Sequence, residues 1–126
     1  MKIFNTTKKT TVAGQTKVAG TFFFRMMGLL NRKSLDEGEG LIILSCQQIH
    51  MVFMRFPIDV IFVDKNHKVA GLVKNIQPFG FSPIFWKASF AIELPTTTIE
   101  KSQTQVGDIL EFIPALRGTE RQEAKM

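Results

Sequence analysis

From Leu41 to Ile113 the apolar residues come in short runs of strand length, and most runs are closed by proline, glycine, asparagine or aspartate. That punctuation constrains the fold more than any other feature, because a helix needs a longer uninterrupted apolar stripe. Leu41–Leu44 is apolar throughout, as expected of a strand buried on both faces. Ile49–Phe56 and Ile58–Asp64 follow, separated by Pro57, which cannot donate to a ladder and marks a strand start or bulge. Asp64-Lys65-Asn66-His67 reads as a turn and Lys68–Val73 as the returning strand. This is the clearest hairpin in the chain. Ala88–Leu94 alternates, with Ala88, Phe90, Ile92 and Leu94 facing one way and Ser89, Ala91 and Glu93 the other. Gly107-Asp108 turns into a last strand, Ile109–Ile113.

Before Leu41 the signals are weaker. Lys2–Val12 reads as one or two edge strands with a turn at Lys8-Lys9, and Ala13-Gly14-Gln15 as a second turn. Thr21–Arg32 has apolar residues at helical spacing behind a Thr21 N-cap. Thr97 and Glu100 fit a capping box for a second, short helix. Asn75–Lys87 holds Pro78, Gly80 and Pro83 and reads as a long loop, unusually rich in Phe79, Phe81, Phe85 and Trp86. Its rings are expected mainly to plug one end of the fold, the alternative being a lid or partner surface. Six or more short strands with one or two short helices give a mainly β domain, an antiparallel β-sandwich or half-open barrel. The expected boundaries are residues 1–113 for one globular domain and 114–126 for a polar C-terminal tail.

The chain has 126 residues, 44% of them hydrophobic, enough for one core without staples. It has 12 Phe and no Tyr, so mechanisms that need a phenol acid or nucleophile are excluded. A single cysteine, Cys46, cannot form an internal disulfide. The N-terminus has no apolar run of signal-peptide length, and no stretch approaches a membrane span. The expectation is a cytoplasmic protein. Net charge is +5, and residues 1–35 hold seven bases and no acid. That asymmetry favours an anionic partner, RNA or a phosphorylated metabolite, over a cationic one. Its plain alternative is a solvated surface. No Lys/Arg run is dense enough for a nucleic-acid arm, so nucleic acid is not the expected partner.

Asp59 is the most informative polar residue. In a strand it shares a face with Ile61 and Val63, and a carboxylate there must be paired, hydrogen-bonded or protonated. It is either a positioned acid, base or ligand anchor, with Arg25, Arg55 or His50 as partner, or a clamp that caps backbone N–H groups. Cys46, His50 and Met54 offer soft ligands for copper or zinc. On an extended strand, however, Cys46 and His50 lie about 13 Å apart, so chelation requires a turn at Gln47-Gln48. The same distance counts against a Cys46–His50 nucleophile and base. Arg25 and Arg32, with Gly28 between them, could clamp a carboxylate or phosphate. No phosphate loop, nucleophile elbow, zinc ribbon or dinucleotide fingerprint is present, and no cofactor is expected.

Three stretches resemble the family known as domain of unknown function 192. They are Ala19–Leu35, with Arg25-Met26-Met27-Gly28-Leu29-Leu30-Asn31-Arg32; Cys46–Asp64; and Ile92-Glu93-Leu94-Pro95 with the later Gly107-Asp108. The likeness covers about residues 10–113. Leu30 replaces a usual methionine, and Thr96-Thr97 stand where alanine and glycine are common. The resemblance implies a mainly β fold and no established activity. Its recurring positions map onto Arg25, Gly28, His50, Met54, Pro57, Asp59 and Glu93. The leading expectation is a non-catalytic binding module. Its cleft, lined by Arg25, His50, Met54, Asp59 and Glu93, would take a small polar or anionic ligand or a protein segment. The alternatives are a hydrolase-like or transferase-like enzyme using Asp59 and His50, and a metal protein using Cys46, His50 and Met54.

Overall fold

The segment Ile58-Asp59-Val60-Ile61-Phe62-Val63 carries large side chains on both sides, and every one of its residues is buried. Such a strand has to lie between two apolar layers, and this one does. The computed structural model describes residues 1–19, 35–49 and 55–114. The strands are β1 (Lys2–Asn5), β2 (Thr10–Ala13), β3 (Gln15–Ala19), β4 (Glu39–Leu44), β5 (Ile58–Val63), β6 (Val69–Ile76), β7 (Phe90–Leu94) and β8 (Leu110–Ile113). A single short helix among the described residues, α1 (Thr98–Ser102), sits between β7 and β8.

They form a three-stranded sheet, β2-β1-β8, and a five-stranded sheet, β3-β4-β7-β5-β6. All pairings are antiparallel except β3 with β4. The sheets approach at two corners, where Lys68 bridges Ile109 and the Thr16 N–H donates to the Met1 carbonyl. They do not close into a barrel, so the arrangement is a mainly β sandwich. The helix expected over Thr21–Arg32 lies outside the described residues, as do 50–54 of the expected Ile49–Phe56 strand and the tail beyond Pro114.

The larger sheet has a core on each side. On one face Ile42, Ile61, Val63, Ile92 and Leu94 pack against Ile3, Val12, Ala13 and Leu110 of the smaller sheet and Ile99 of α1. On the other, Ile43, Ile58, Val60, Phe62 and Ala91 pack beneath Leu35, Cys46, Ile49, Phe56 and Ala88. Among the described residues no sheet lies above that second face. Irregular chain covers it, and backbone hydrogen bonds hold the cover: Ser82 N–H to the Ile49 carbonyl at 2.9 Å and Phe85 N–H to the Gln47 carbonyl at 2.8 Å. Irregular chain can lie over a core only when its polar groups are paired in this way.

Only one ring of the aromatic loop works as a plug. Phe85 stacks on Phe62, centroids 4.5 Å apart, directly over Gly71. A Cβ on Gly71 would lie 2.2 Å from that ring, so β6 needs glycine there. Phe79, Phe81 and Trp86 are exposed.

A buried polar cluster, not anticipated from the sequence, ties the smaller sheet to the segment after α1. The Asn5 amide donates to Thr104 Oγ1 at 3.1 Å and to Asp108 Oδ2 at 3.0 Å. Lys8 Nζ reaches both Asp108 oxygens at 2.8 Å, and the Gln105 N–H donates to Oδ2 at 2.9 Å. Burial pushes the Asp108 carboxyl up. The Lys8 ammonium, the Asn5 amide and the Gln105 N–H together outweigh it and hold the group below the usual carboxylate value.

Candidate functional site

Asp59 lies one residue into β5, opposite Leu94 of β7, and faces the smaller sheet with Ile61 and Val63. It is 1% exposed. Its charge is met by backbone. Oδ1 accepts the Asn75 N–H at 2.8 Å, and Oδ2 accepts the Ile99 N–H at 3.0 Å. Asn75 has a left-handed backbone, φ 53°, at an irregularity in the β5–β6 pairing, which turns its N–H out of the ladder and toward Asp59. Ile99 lies in the first turn of α1, where N–H groups have no partner within the helix. Asp59 therefore holds a sheet irregularity and a helix start with one carboxylate. Of the basic partners considered from the sequence, Arg55 is exposed, and Arg25 and His50 lie outside the described residues.

The capping box expected at Thr97 is absent. Thr97 is the N-cap residue, but its φ of 74° puts it in the left-handed region and its side chain makes no capping bond. A β-branched residue is strained there. Asp59 supplies the cap from a distant strand instead. The geometry also accounts for the glycine that the resembling family commonly carries at this position.

Glu93 sits on β7 between Leu41 of β4 and Val60 of β5. Leu41 and Val60 belong to the second core, so Glu93 faces the irregular cover, the opposite side of the sheet from Asp59. It is 7% exposed. One cleft cannot be lined by both carboxylates, because a β-sheet lies between them. Arg25, His50 and Met54, the other expected site residues, lie outside the described residues, as do Gly28 and Arg32.

Cys46 is a buried thiol on Glu93's side of the sheet, its Sγ 3.2 Å from the Gln48 carbonyl, which accepts its hydrogen bond. Ser45 has φ 53°, so the chain turns as it leaves β4. Residues 46–49 continue as irregular chain pinned to the loop above: Gln47 Nε2 donates to the Trp86 carbonyl at 2.7 Å and Gln48 Nε2 to the Ser82 carbonyl at 2.9 Å. Ser82, itself buried, accepts the Ile49 N–H at 3.0 Å. No group of three His, Cys, Asp or Glu side chains suited to a metal occurs among the described residues.

A groove of about 240 Å³ opens elsewhere, beside the strained turn into α1, lined by Thr11, Gly14, Glu37, Thr96, Thr97 and Lys101. Neither Asp59 nor Glu93 lines it. An exposed Lys101–Glu37 ion pair at 3.4 Å stands within its wall. No helix among the described residues is long and apolar enough to cross a membrane.

The comparisons agree with this architecture. The family model for domain of unknown function 192, described as an uncharacterized ACR, matches residues 3–112. A UPF0127 protein of Thermococcus sibiricus is 32% identical over 114 residues, covering 87% of this chain and 73% of the relative. A UPF0127 protein of Pyrococcus furiosus is 31% identical over 113 residues, covering 87% and 97%. The crystal structure of a protein of unknown function from Novosphingobium aromaticivorans superposes with a TM-score of 0.68 at 23% identity, covering 77% of this chain and 74% of that one. At that identity the likeness speaks for the fold. With a family model matching nearly the whole described β framework, the chain belongs to the domain of unknown function 192 family.

Proposed function

We propose that the protein is a non-catalytic binding module whose site lies on the Glu93 face of the larger sheet. The observation that carries this reading is a carboxylate, 7% exposed, on an otherwise apolar sheet face that, among the described residues, is covered by irregular chain and not by a second sheet. Burying such a group is costly, and a core strand position would be more cheaply filled by an aliphatic side chain. Irregular cover also suits recognition better than a packed sheet does. The segment Cys46–Ile49, pinned above this face, leads directly into His50 and then Met54. We assign His50, Met54 and Arg25 to the site with Glu93. The occupant is a small polar or anionic ligand or a protein segment. Asp59 we assign to bracing: each of its oxygens is engaged by a backbone N–H, and at 1% exposure the group is closed off from a substrate. That weighs against an enzyme using Asp59 with His50. A buried thiol as the sole cysteine supports a cytoplasmic setting.

The test is a thermal-shift panel of metabolites, divalent metals and peptides on the parent, Glu93→Gln and His50→Ala. A compound that raises the parent's midpoint, and raises that of both variants by clearly less, supports the site. Compounds that shift all three equally place binding elsewhere and refute it.

A further inference from the structure

We propose that the loop between β6 and β7 docks the protein onto anionic membrane surfaces. Phe79, Phe81, Ile84 and Trp86 are 76%, 69%, 42% and 74% exposed. Four large apolar side chains within eight residues left in water exceed what scattered surface hydrophobes explain. Phe79 makes the point sharpest. Its φ is 70°, a backbone region that aromatic residues rarely adopt, and the strain leaves its ring in solvent instead of the core. Folding gains nothing from that combination.

The rings stand on a fixed platform. The Gly80 N–H donates to the Gln77 carbonyl at 2.9 Å, and the bonds from Ser82, Phe85 and Gln47 described above tie the rest of the loop to residues 47–49. Rings held outward by the backbone lose little freedom when they are buried.

Charge and area select the occupant. Between Asp64 and Glu93 the chain has no acid and four lysines, Lys65, Lys68, Lys74 and Lys87. Lys87 follows Trp86 directly. Lys74 precedes the loop, and Arg55 lies just before β5, whose Ile58 pairs with Ile76 at the loop's first residues. All three are exposed. Two copies of so basic a surface repel each other. The four side chains expose on the order of 500 Å², short of the roughly 800 Å² per partner of a standard protein interface. Aromatic rings flanked by Lys and Arg match instead the polar–apolar boundary of a bilayer with anionic headgroups. This surface is the solvent side of the same loop whose inner side helps cover the Glu93 face, and the proposal does not require that the Glu93 site be occupied.

Trp86 is the only tryptophan in the chain, so its emission reports on the loop alone. The experiment titrates the full chain with phosphatidylglycerol-containing vesicles and with pure phosphatidylcholine vesicles, reading Trp86 emission and co-sedimentation. The expected result is a blue shift with the anionic vesicles and partitioning at least tenfold stronger than to the neutral ones. Each base near the surface is worth about fivefold in affinity, so two or three together exceed tenfold, and raised salt weakens the effect. A Phe79→Ser variant keeps its urea midpoint, because that ring is 76% exposed, and loses much of the binding. The proposal is overturned if neither vesicle binds, if the Phe79→Ser variant binds as well as the parent, or if binding leaves Trp86 emission unchanged. It is also overturned if the shift appears only with a single-stranded oligonucleotide, or only as the protein self-associates.

Discussion

Replacing Asp59 by asparagine keeps the shape of the side chain and removes the property the structure uses. In the parent two backbone donors, Asn75 N–H at 2.8 Å and Ile99 N–H at 3.0 Å, point at two acceptor oxygens of a residue 1% exposed. Asparagine has one acceptor and two donors. One contact becomes neutral, at about half its former strength. The other sets an NH₂ against an N–H, losing a charge-assisted bond worth about 1.5–3 kcal/mol and leaving a buried donor unmet. The expected cost is about 3–4 kcal/mol. With a urea m-value of about 1–3 kcal/mol/M for small proteins, the unfolding midpoint falls by roughly 1–4 M. Far-UV circular dichroism is the appropriate reading, since Trp86 is too exposed to report on core unfolding. Native-state hydrogen exchange adds a local signature: the Ile99 and Asn75 amides lose protection ahead of the β5–β7 amides. A midpoint within about 0.5 M of the parent's would refute the brace, because no arrangement of an asparagine satisfies both donors.

Three further outcomes follow from particular contacts. Thr97→Gly removes β-branched strain at φ 74° and raises stability by about 0.5–1 kcal/mol net of the greater chain entropy of glycine, read as a higher urea midpoint at unchanged m-value. Gly71→Ala drives a Cβ into the Phe85 ring and costs about 1–3 kcal/mol, and Phe85→Ala in that background costs less than in the parent, the coupling being read from a double-mutant cycle. The Asp108 carboxyl is held below its ordinary value of 3.8, so between the folded value and 3.8 the unfolded chain binds more protons than the folded one. Its stabilisation is complete above 3.8 and is lost as pH falls through the folded value; Asp108→Asn flattens that limb of a stability–pH curve, and an unchanged limb would refute the assignment.

The strands with alternating or continuous apolar residues were legible in the sequence because the physics that forms them is local. β5 and β7 emerge where Ile58–Val63 and Phe90–Leu94 pattern them. β3 was not, since Gln15–Ala19 is a largely polar edge strand that pairs in parallel with β4 across a long connection. The polar chemistry followed the same division. That Asp59 must be engaged was readable from its apolar neighbours. Which of two engagements applied was not, because both donors come from backbone brought in by tertiary structure, 16 and 40 residues away in sequence. The Thr97 capping box was misleading for the same reason: a local motif was overridden by a left-handed turn that a distant carboxylate caps. Asp59 and Glu93 look alike in the sequence, two acids in apolar strands. Pairing Asp59 with Leu94 and Val60 with Glu93 puts them on opposite faces of one sheet, and only the register reveals it. Asn5 and Asp108 were missed because nothing local marks an asparagine at the end of β1 as the partner of a turn 103 residues later.

The central claim is a division of labour between these two acids, Asp59 holding the fold and Glu93 serving a site. The most direct test is the unfolding free energy of Glu93→Gln beside that of Asp59→Asn at neutral pH. Residues retained for binding commonly tolerate replacement with little loss of stability, while removing one member of a buried charge-assisted arrangement is costly. The account predicts Glu93→Gln within about 1 kcal/mol of the parent, or more stable than it, while Asp59→Asn loses about 3–4 kcal/mol. A Glu93→Gln loss as large as that of Asp59→Asn would show that both acids brace the fold and would contradict the assignment of Glu93 to a site.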